Sequence, residues 1–173
     1  MRIVGGTLRG RRINAPLDET TRPTSDRARE AIFNMLFSLG LPEGGRVADL
    51  FSGSGALGLE ALSRGATEVF FVDNHASACK AIKTNLGLLD LHAQVIRGDA
   101  VETLRSLDVD LVLADPPYGF DDWQILLAGA GKAVVVAETN SKIGPFEGWD
   151  VIRSRSYGRA VVTILSPEKA NMG

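Results

Sequence analysis

The chain has a single cysteine, Cys79, in 173 residues, so no disulfide can close within it. A reducing compartment, the cytoplasm, is the expected setting. Its only histidines, His75 and His92, stand apart with no ligand spacing around them, and no metal site is expected. No apolar run is long enough to span a bilayer, and Met1-Arg2-Ile3-Val4-Gly5-Gly6 lacks the apolar core of a signal peptide. Internal repeats and low-complexity segments are also missing. What remains is 45% hydrophobic and 23% charged, enough to bury the core of one ordinary domain.

The net charge of −2 is unevenly spread. Arg2, Arg9, Arg11, Arg12, Arg22, Arg27 and Arg29 crowd the first segment, against only Asp18, Glu19 and Asp26 there. A basic arm on an acidic body is the footprint expected of a partner to a polyanion. Arg2-Ile3-Val4 and Arg12-Ile13-Asn14 are β-capable and separated by Gly5-Gly6 and Gly10, which predicts a small hairpin. Thr24 and Ser25 are both good N-caps for a helix running to about Leu39. Its apolar stripe is Ala28, Ala31, Ile32, Met35, Leu36 and Leu39, with Arg29 near the edge. Gly40, Pro42, Gly44 and Gly45 then mark a boundary between a basic unit, 1–40, and a body, 41–173.

From Arg46 the pattern alternates. Strands are expected at 47–51, 68–73, 93–97, 110–114 and 132–138, with helices at 56–64, 76–88 and 101–106. Such βα repeats demand right-handed crossovers and a mostly parallel sheet covered on both faces. The ending breaks the rhythm: strands at 149–153 and 159–165 are joined by Ser154 to Gly158 alone, too short for a crossover helix, so they must pair antiparallel. Between Glu138 and Trp149 a full-length helix has no room.

Four stretches carry chemistry. Gly53, Gly55 and Gly58 form G-x-G-x-x-G between a strand and a helix, and Asp73 follows twenty residues beyond Gly53. That pattern suits any adenosine cofactor, with Asp73 accepting ribose hydroxyls. Asp49, just before the turn, would repel a pyrophosphate and welcome the methionine ammonium of S-adenosylmethionine. Gly98-Asp99-Ala100 ends the third strand. There Asp99 can accept from an adenine amine or cap the next helix. Asp115-Pro116-Pro117-Tyr118 leaves the buried run Leu111–Ala114. Two prolines cannot continue a ladder and turn the chain stiffly outward. The corner offers acceptors without donors, the Asp115 carboxylate and the Pro116 carbonyl, beside an aromatic ring, and suits a planar amine-bearing base.

Asp49 to Gly55 resembles the first motif of class I methyltransferases, and Asp115 to Tyr118 matches the D/N-P-P-Y/F signature of those that modify base amines. Arg2 to Arg11, Arg22 to Asn34 and Tyr157-Gly158 add a resemblance to the RsmD family over nearly the whole chain. That resemblance implies an α/β, Rossmann-like class I fold with a mostly parallel seven-stranded sheet and a C-terminal antiparallel hairpin. It implies S-adenosylmethionine as donor, with S-adenosylhomocysteine as product, and transfer to the guanine exocyclic N2 amine of bacterial 16S rRNA in the small ribosomal subunit, at guanine 966. The implied catalytic residues are Asp115, Pro116, Pro117 and Tyr118. The implied cofactor contacts are Asp49, Phe51, Ser52, Gly53, Gly55, Asp73, Asn74, Asp99 and Ala100. RNA would be gripped by Arg2, Arg9, Arg11, Arg12, Arg22 and Arg27, with Gly5 and Gly6 allowing close approach. A monomer without metal or membrane is expected. The segment from Gly119 to Gly131 is short for the family. The corner alone does not separate guanine from adenine, so an adenine-amine methyltransferase of DNA or other RNA, or a non-catalytic ribosome-assembly factor, stays open here.

Overall fold

The computed structural model describes residues 1–16 and 24–169. Arg22 lies outside the described residues. The strands are β1 (Arg46–Leu50), β2 (Glu68–Asp73), β3 (Gln94–Arg97), β4 (Leu111–Ala114), β5 (Val134–Thr139), β6 (Trp149–Tyr157) and β7 (Ala160–Pro167). The helices are α1 (Asp26–Phe37), α2 (Ala56–Ser63), α3 (Ala76–Leu89), α4 (Ala100–Leu104) and α5 (Trp123–Ala130). All seven strands form one sheet in the order β3-β2-β1-β4-β5-β7-β6. The first five are parallel and β7 is antiparallel to both its neighbours. This is the class I methyltransferase fold expected from the βα rhythm.

Two apolar layers flank the sheet. One gathers α1, α2 and α3 over Val47, Phe71, Leu113 and Ile164. The other gathers α4 and α5 over Leu50, Val72, Val112 and Leu165. The β1 and β4 side chains are buried on both faces, as central parallel strands require.

Three local expectations are corrected. The closing hairpin is tighter and longer than expected, since Tyr157 pairs with Ala160 across Gly158-Arg159. Gly158 takes the left-handed φ of 64° that such a two-residue turn needs. The short stretch after Gly119 still holds a helix, α5, whose Trp123, Leu126, Leu127 and Ala130 are buried. On α1, Leu39 lies past the helix end and is exposed, whereas Arg29 and Phe33 are fully buried. The buried face is wider than an apolar stripe because acidic groups of α2 and β5 face Arg29.

The arm forms a hairpin with one bridge, Arg2 to Arg12. Ile3 and Ile13 point into the same apolar layer as Ile32, Phe33, Leu59 and Phe71. The Glu60 carboxylate of α2 is wholly buried and accepts the Val4 and Gly5 amides at 2.9 and 2.7 Å. Ser63 Oγ donates to the Gly5 carbonyl and accepts the Leu8 amide. Buried Asn85 of α3 exchanges two hydrogen bonds with the Asn14 backbone and also donates to Ser54 O in the glycine turn.

Candidate active site

The sheet register builds the site. Leu50 lies opposite Val72 on one side and Ala114 on the other, so Phe51, Asp73 and Asp115 emerge together at the carboxyl ends of β1, β2 and β4. Asp49 sits two residues deeper than Phe51 and is buried, its Oδ2 accepting the Gly58 amide at 2.9 Å. Gly58 must be glycine: a Cβ there would stand 2.3 Å from the Phe71 ring and 2.9 Å from Asp49 Oδ2. The third glycine of the motif therefore packs α2 against β2 and orients an acid.

Asp73 is held by the turn it faces. Its Oδ2 accepts the Gly53 amide at 3.0 Å and its Oδ1 the His75 amide at 2.9 Å. Oδ1 also lies 3.1 Å from His75 Nδ1, so Oδ2 is the oxygen with a lone pair left for a ligand hydroxyl. Ser52 Oγ accepts the Val72 amide and lies within reach of the Val72 and Asp49 carbonyls, locking the start of the turn onto β2. Phe51 adopts a left-handed φ of 55°, uncommon for a large side chain. Its ring meets Phe120 edge-on at 5.3 Å, and Phe120 meets Trp123 at 5.0 Å. This aromatic row joins the glycine turn to the proline corner. Phe120 and Trp123 belong to no motif, and only their sequence proximity to Tyr118 hinted at them.

Burial pushes the Asp49 carboxyl well above the usual range; the Gly58 amide opposes this, and the charges of Asp115 and Asp73 add to it. A raised carboxyl pKa favours the folded state below the ordinary value, near pH 4, and that contribution is lost as pH rises through the raised value. Asp49→Asn is therefore expected to raise the melting temperature at neutral pH, and the gain should shrink toward zero as pH falls to about 4. Thermal denaturation of the ligand-free protein across that range checks it; a gain independent of pH would contradict the assignment.

Asp99 caps α4, its Oδ1 accepting the Glu102 amide at 2.8 Å, and its side chain remains exposed on the rim beside buried Ala100. Asn74 is exposed, and its carbonyl accepts from Arg97 Nε. At the corner Asp115 and Pro116 are half-buried, Pro117 is exposed, and Tyr118 is 77% exposed.

Thr24 does not cap α1. Ser25 does, accepting the Ala28 amide at 3.2 Å, and this releases the Thr24 hydroxyl to lie 3.2 Å from Asp115 Oδ2 and 2.7 Å from Glu138 Oε2. Glu138 stands near the end of β5, next to Asp115; the strand expected at 132–138 ends on it, but nothing in the apolar run before it points to a role. Burial raises its carboxyl, while the Thr24 hydrogen bond and the Arg29 charge pull it down.

Of the arm residues, Arg2, Arg9, Arg11, Arg12 and Arg27 are exposed. Arg2 and Arg12 line a shallow pocket with Met1 and Asp26, two residues along from Thr24. Arg11 is partly committed elsewhere, donating to Leu88 O of α3 at 2.8 Å. Gly5 and Gly6 have a structural reason to be glycine. A Cβ on Gly6, at φ 75°, would stand 1.9 Å from Ser63 O, and one on Gly5 would strike the Arg64 guanidinium. The close approach they permit is to α2. Among the described residues no helix is long and apolar enough to cross a membrane, and no cluster of three or more His, Cys, Asp or Glu could hold a metal.

Comparison with known proteins agrees with this layout. The family model described as "Conserved hypothetical protein 95" matches residues 1–166. YlbH of Bacillus subtilis, named a candidate rRNA methyltransferase, is 44% identical over 95% of this chain and 97% of its own. The ribosomal RNA small subunit methyltransferase D of Escherichia coli K12 is 36% identical over 68% of this chain, a match spanning 60% of that enzyme's length. The solved structure of yhhF from Escherichia coli, described as a candidate methyltransferase, superposes with a TM-score of 0.83 at 29% identity, covering 97% of this chain and 98% of that one. Sequence match and superposition thus run from the arm to the closing hairpin, and the chain belongs to the RsmD family.

Proposed function

We propose that this chain transfers a methyl group from S-adenosylmethionine to the exocyclic N2 amine of one guanine of 16S rRNA, guanine 966 by family resemblance, in the small ribosomal subunit. The observation that carries it is the corner Asp115-Pro116 on the same rim as Asp49 and Asp73, joined to them through Phe51. Relatives named as rRNA methyltransferases, one of them for the small subunit, supply the substrate class.

The rim fits that cofactor. Three carboxylates, of which Asp115 and Asp73 both push Asp49 toward its neutral form, favour a ligand bearing an ammonium and a sulfonium and disfavour a pyrophosphate. Asp49 would hold the ammonium and Asp73 the ribose hydroxyls. Asp99 would face the adenine amine. Gly53 and Gly55, at φ 53° and 79°, let the backbone approach closely.

A base amine is a weak nucleophile because its lone pair is delocalised into the ring. Asp115 and the Pro116 carbonyl accept its two hydrogens and turn the lone pair out of the ring plane. When bound, the cofactor supplies an electrophilic methyl whose bond to sulfur breaks as the bond to nitrogen forms, sulfur keeping the electron pair. Preorganised acceptors and orientation then carry the rate. Tyr118, exposed at the corner, stacks on a base extruded from its RNA stack. The row Phe51, Phe120 and Trp123 forms a dry wall behind it. Arg2 and Arg12, beside the start of α1, contact phosphates and set register without reading sequence.

Labelled S-adenosylmethionine incubated with small subunits, 16S rRNA, tRNA and DNA tests the proposal. Label in a single guanine of 16S rRNA is expected. Label in DNA adenine, or none in any nucleic acid, sinks it.

A further inference from the structure

The Thr24 hydroxyl stands between two carboxylates, 2.7 Å from Glu138 Oε2 and 3.2 Å from Asp115 Oδ2. A hydroxyl has one hydrogen to donate and two lone pairs. The shorter contact takes the hydrogen, so Asp115 faces a Thr24 lone pair. An ionised carboxylate has nothing to donate there. One shared proton completes the chain of hydrogen bonds: on Asp115 it runs from Asp115 through Thr24 to Glu138, and on Glu138 it runs the other way. The β4–β5 register brings this about: Ala114 lies opposite Ala137, so Asp115 and Glu138 are neighbours one residue beyond. Glu138 is faced by Thr24 from the segment before α1, by Asp115 from the end of β4 and by Arg29 from α1. Its partner on β7 is the apolar Val162.

We propose, resting on the methyl-transfer function above, that Thr24 and Glu138 form a proton relay that clears Asp115 after each transfer. Once methylated, the amine nitrogen is cationic and bears two hydrogens. One leaves as a proton to the Asp115 carboxylate, and its bonding pair returns to nitrogen. Asp115, now an acid, donates from Oδ2 to Thr24 Oγ1 while the Thr24 proton passes to Glu138 Oε2. Asp115 is again ionised, Thr24 is again a hydroxyl, and Glu138 is neutral. Water takes the proton from Glu138 between turnovers. The half-buried setting that makes Glu138 a readier recipient than an ordinary carboxyl is countered by the Arg29 charge, which favours release. Thr24 and Glu138 never touch the base; they are positioning residues that act through Asp115.

The test compares steady-state kinetics of the wild type with Glu138→Gln, Thr24→Val and Thr24→Ser over a range of pH. Glu138→Gln and Thr24→Val are expected to lower kcat by about 10- to 100-fold with KM for donor and RNA unchanged, and to shift the acidic limb of the kcat profile, the part that remains belonging to Asp115. Thr24→Ser should restore both, and the double variant should be no slower than either single one. A readout without turnover is the titration of Glu138 in carboxyl-labelled protein by carbon NMR. Thr24→Val removes the hydrogen bond that holds its midpoint down, so the midpoint should rise, and Thr24→Ser should return it. An active wild type whose Glu138→Gln variant keeps its kcat and pH profile overturns the relay alone, as does a Glu138 midpoint indifferent to Thr24→Val. A wild type that methylates no nucleic acid overturns the function and the relay together.

Discussion

Asp115→Ala should leave S-adenosylmethionine bound as tightly as in the wild type while methyl transfer to the small subunit falls about 10³-fold. The magnitude follows from removing one of two preorganised acceptors at a reacting centre, typically worth two to three orders of magnitude in rate. Without it the amine keeps its lone pair in conjugation and swings about the one remaining contact to Pro116. Affinity for the donor should not suffer. Asp115 pushes the buried Asp49 carboxyl toward its neutral form, so its loss leaves Asp49 more readily ionised for the donor's ammonium. Calorimetric titration with the donor and single-turnover transfer with saturating small subunits separate the two effects. Turnover within tenfold of wild type would remove Asp115 from its assigned role, and a parallel collapse of donor affinity would recast it as part of the cofactor cradle.

The largest stability effect is expected at Glu60→Ala, far from any motif. Glu60 is wholly buried and accepts the Val4 amide, the Gly5 amide and Arg64 Nε, with Arg29 Nη1 at 3.9 Å. Arg29 is itself fully buried, and its Nε and Nη1 have no hydrogen-bond partner among the described residues. Its remaining close ion pair is with Asp26, whose side chain is 65% exposed. Removing Glu60 strands that guanidinium and orphans two arm amides. Breaking a buried pair in this way costs about 3–5 kcal/mol, and for a chain of this size the melting temperature should fall by roughly 10 °C or more. Hydrogen exchange at Val4 and Gly5 should lose its protection at the same time. A melting temperature within about 2 °C of wild type would show that Ile3, Ile13, Ser63 and Asn85 hold the arm without Glu60.

These two residues mark how far the sequence could be read. Asp115 was legible because its meaning is contiguous: a buried apolar run, a carboxylate, two prolines and a ring follow one another. The glycine turn and β2, matched at both ends, were legible for the same reason. Glu60 was not. In α2, where Glu60 and Ser63 are the only polar side chains, a lone glutamate reads as the solvent face, and its partners Val4 and Gly5 lie 56 and 55 residues away. Ser63 and Asn85 escaped notice on the same ground, since both spend their side chains on arm backbone that no periodicity brings near. Arg29 shows the converse error: counted with the arm's basic charge, it is buried against acids contributed by α2 and β5. Thr24 was seen as one of two adjacent caps. Only the choice of Ser25 as the actual cap revealed what its neighbour's hydroxyl does.

The place of β7 in the sheet sets the order in which the chain can mature during synthesis. It is made after β6 yet lies between β5 and β6, and it packs against α1 from the opposite end of the chain. As the nascent polypeptide lengthens, β1 to β5 can assemble one crossover at a time. β6 meanwhile has no ladder to join, and part of α1's apolar face has nothing to cover it. The last strand inserts, and both ends close in one event. A protein stitched together by such distant contacts acquires its sheet edge, its first helix and the neighbourhood of Glu138 late and together. Until β7 is in place, the part of α1 that it covers stays open to water.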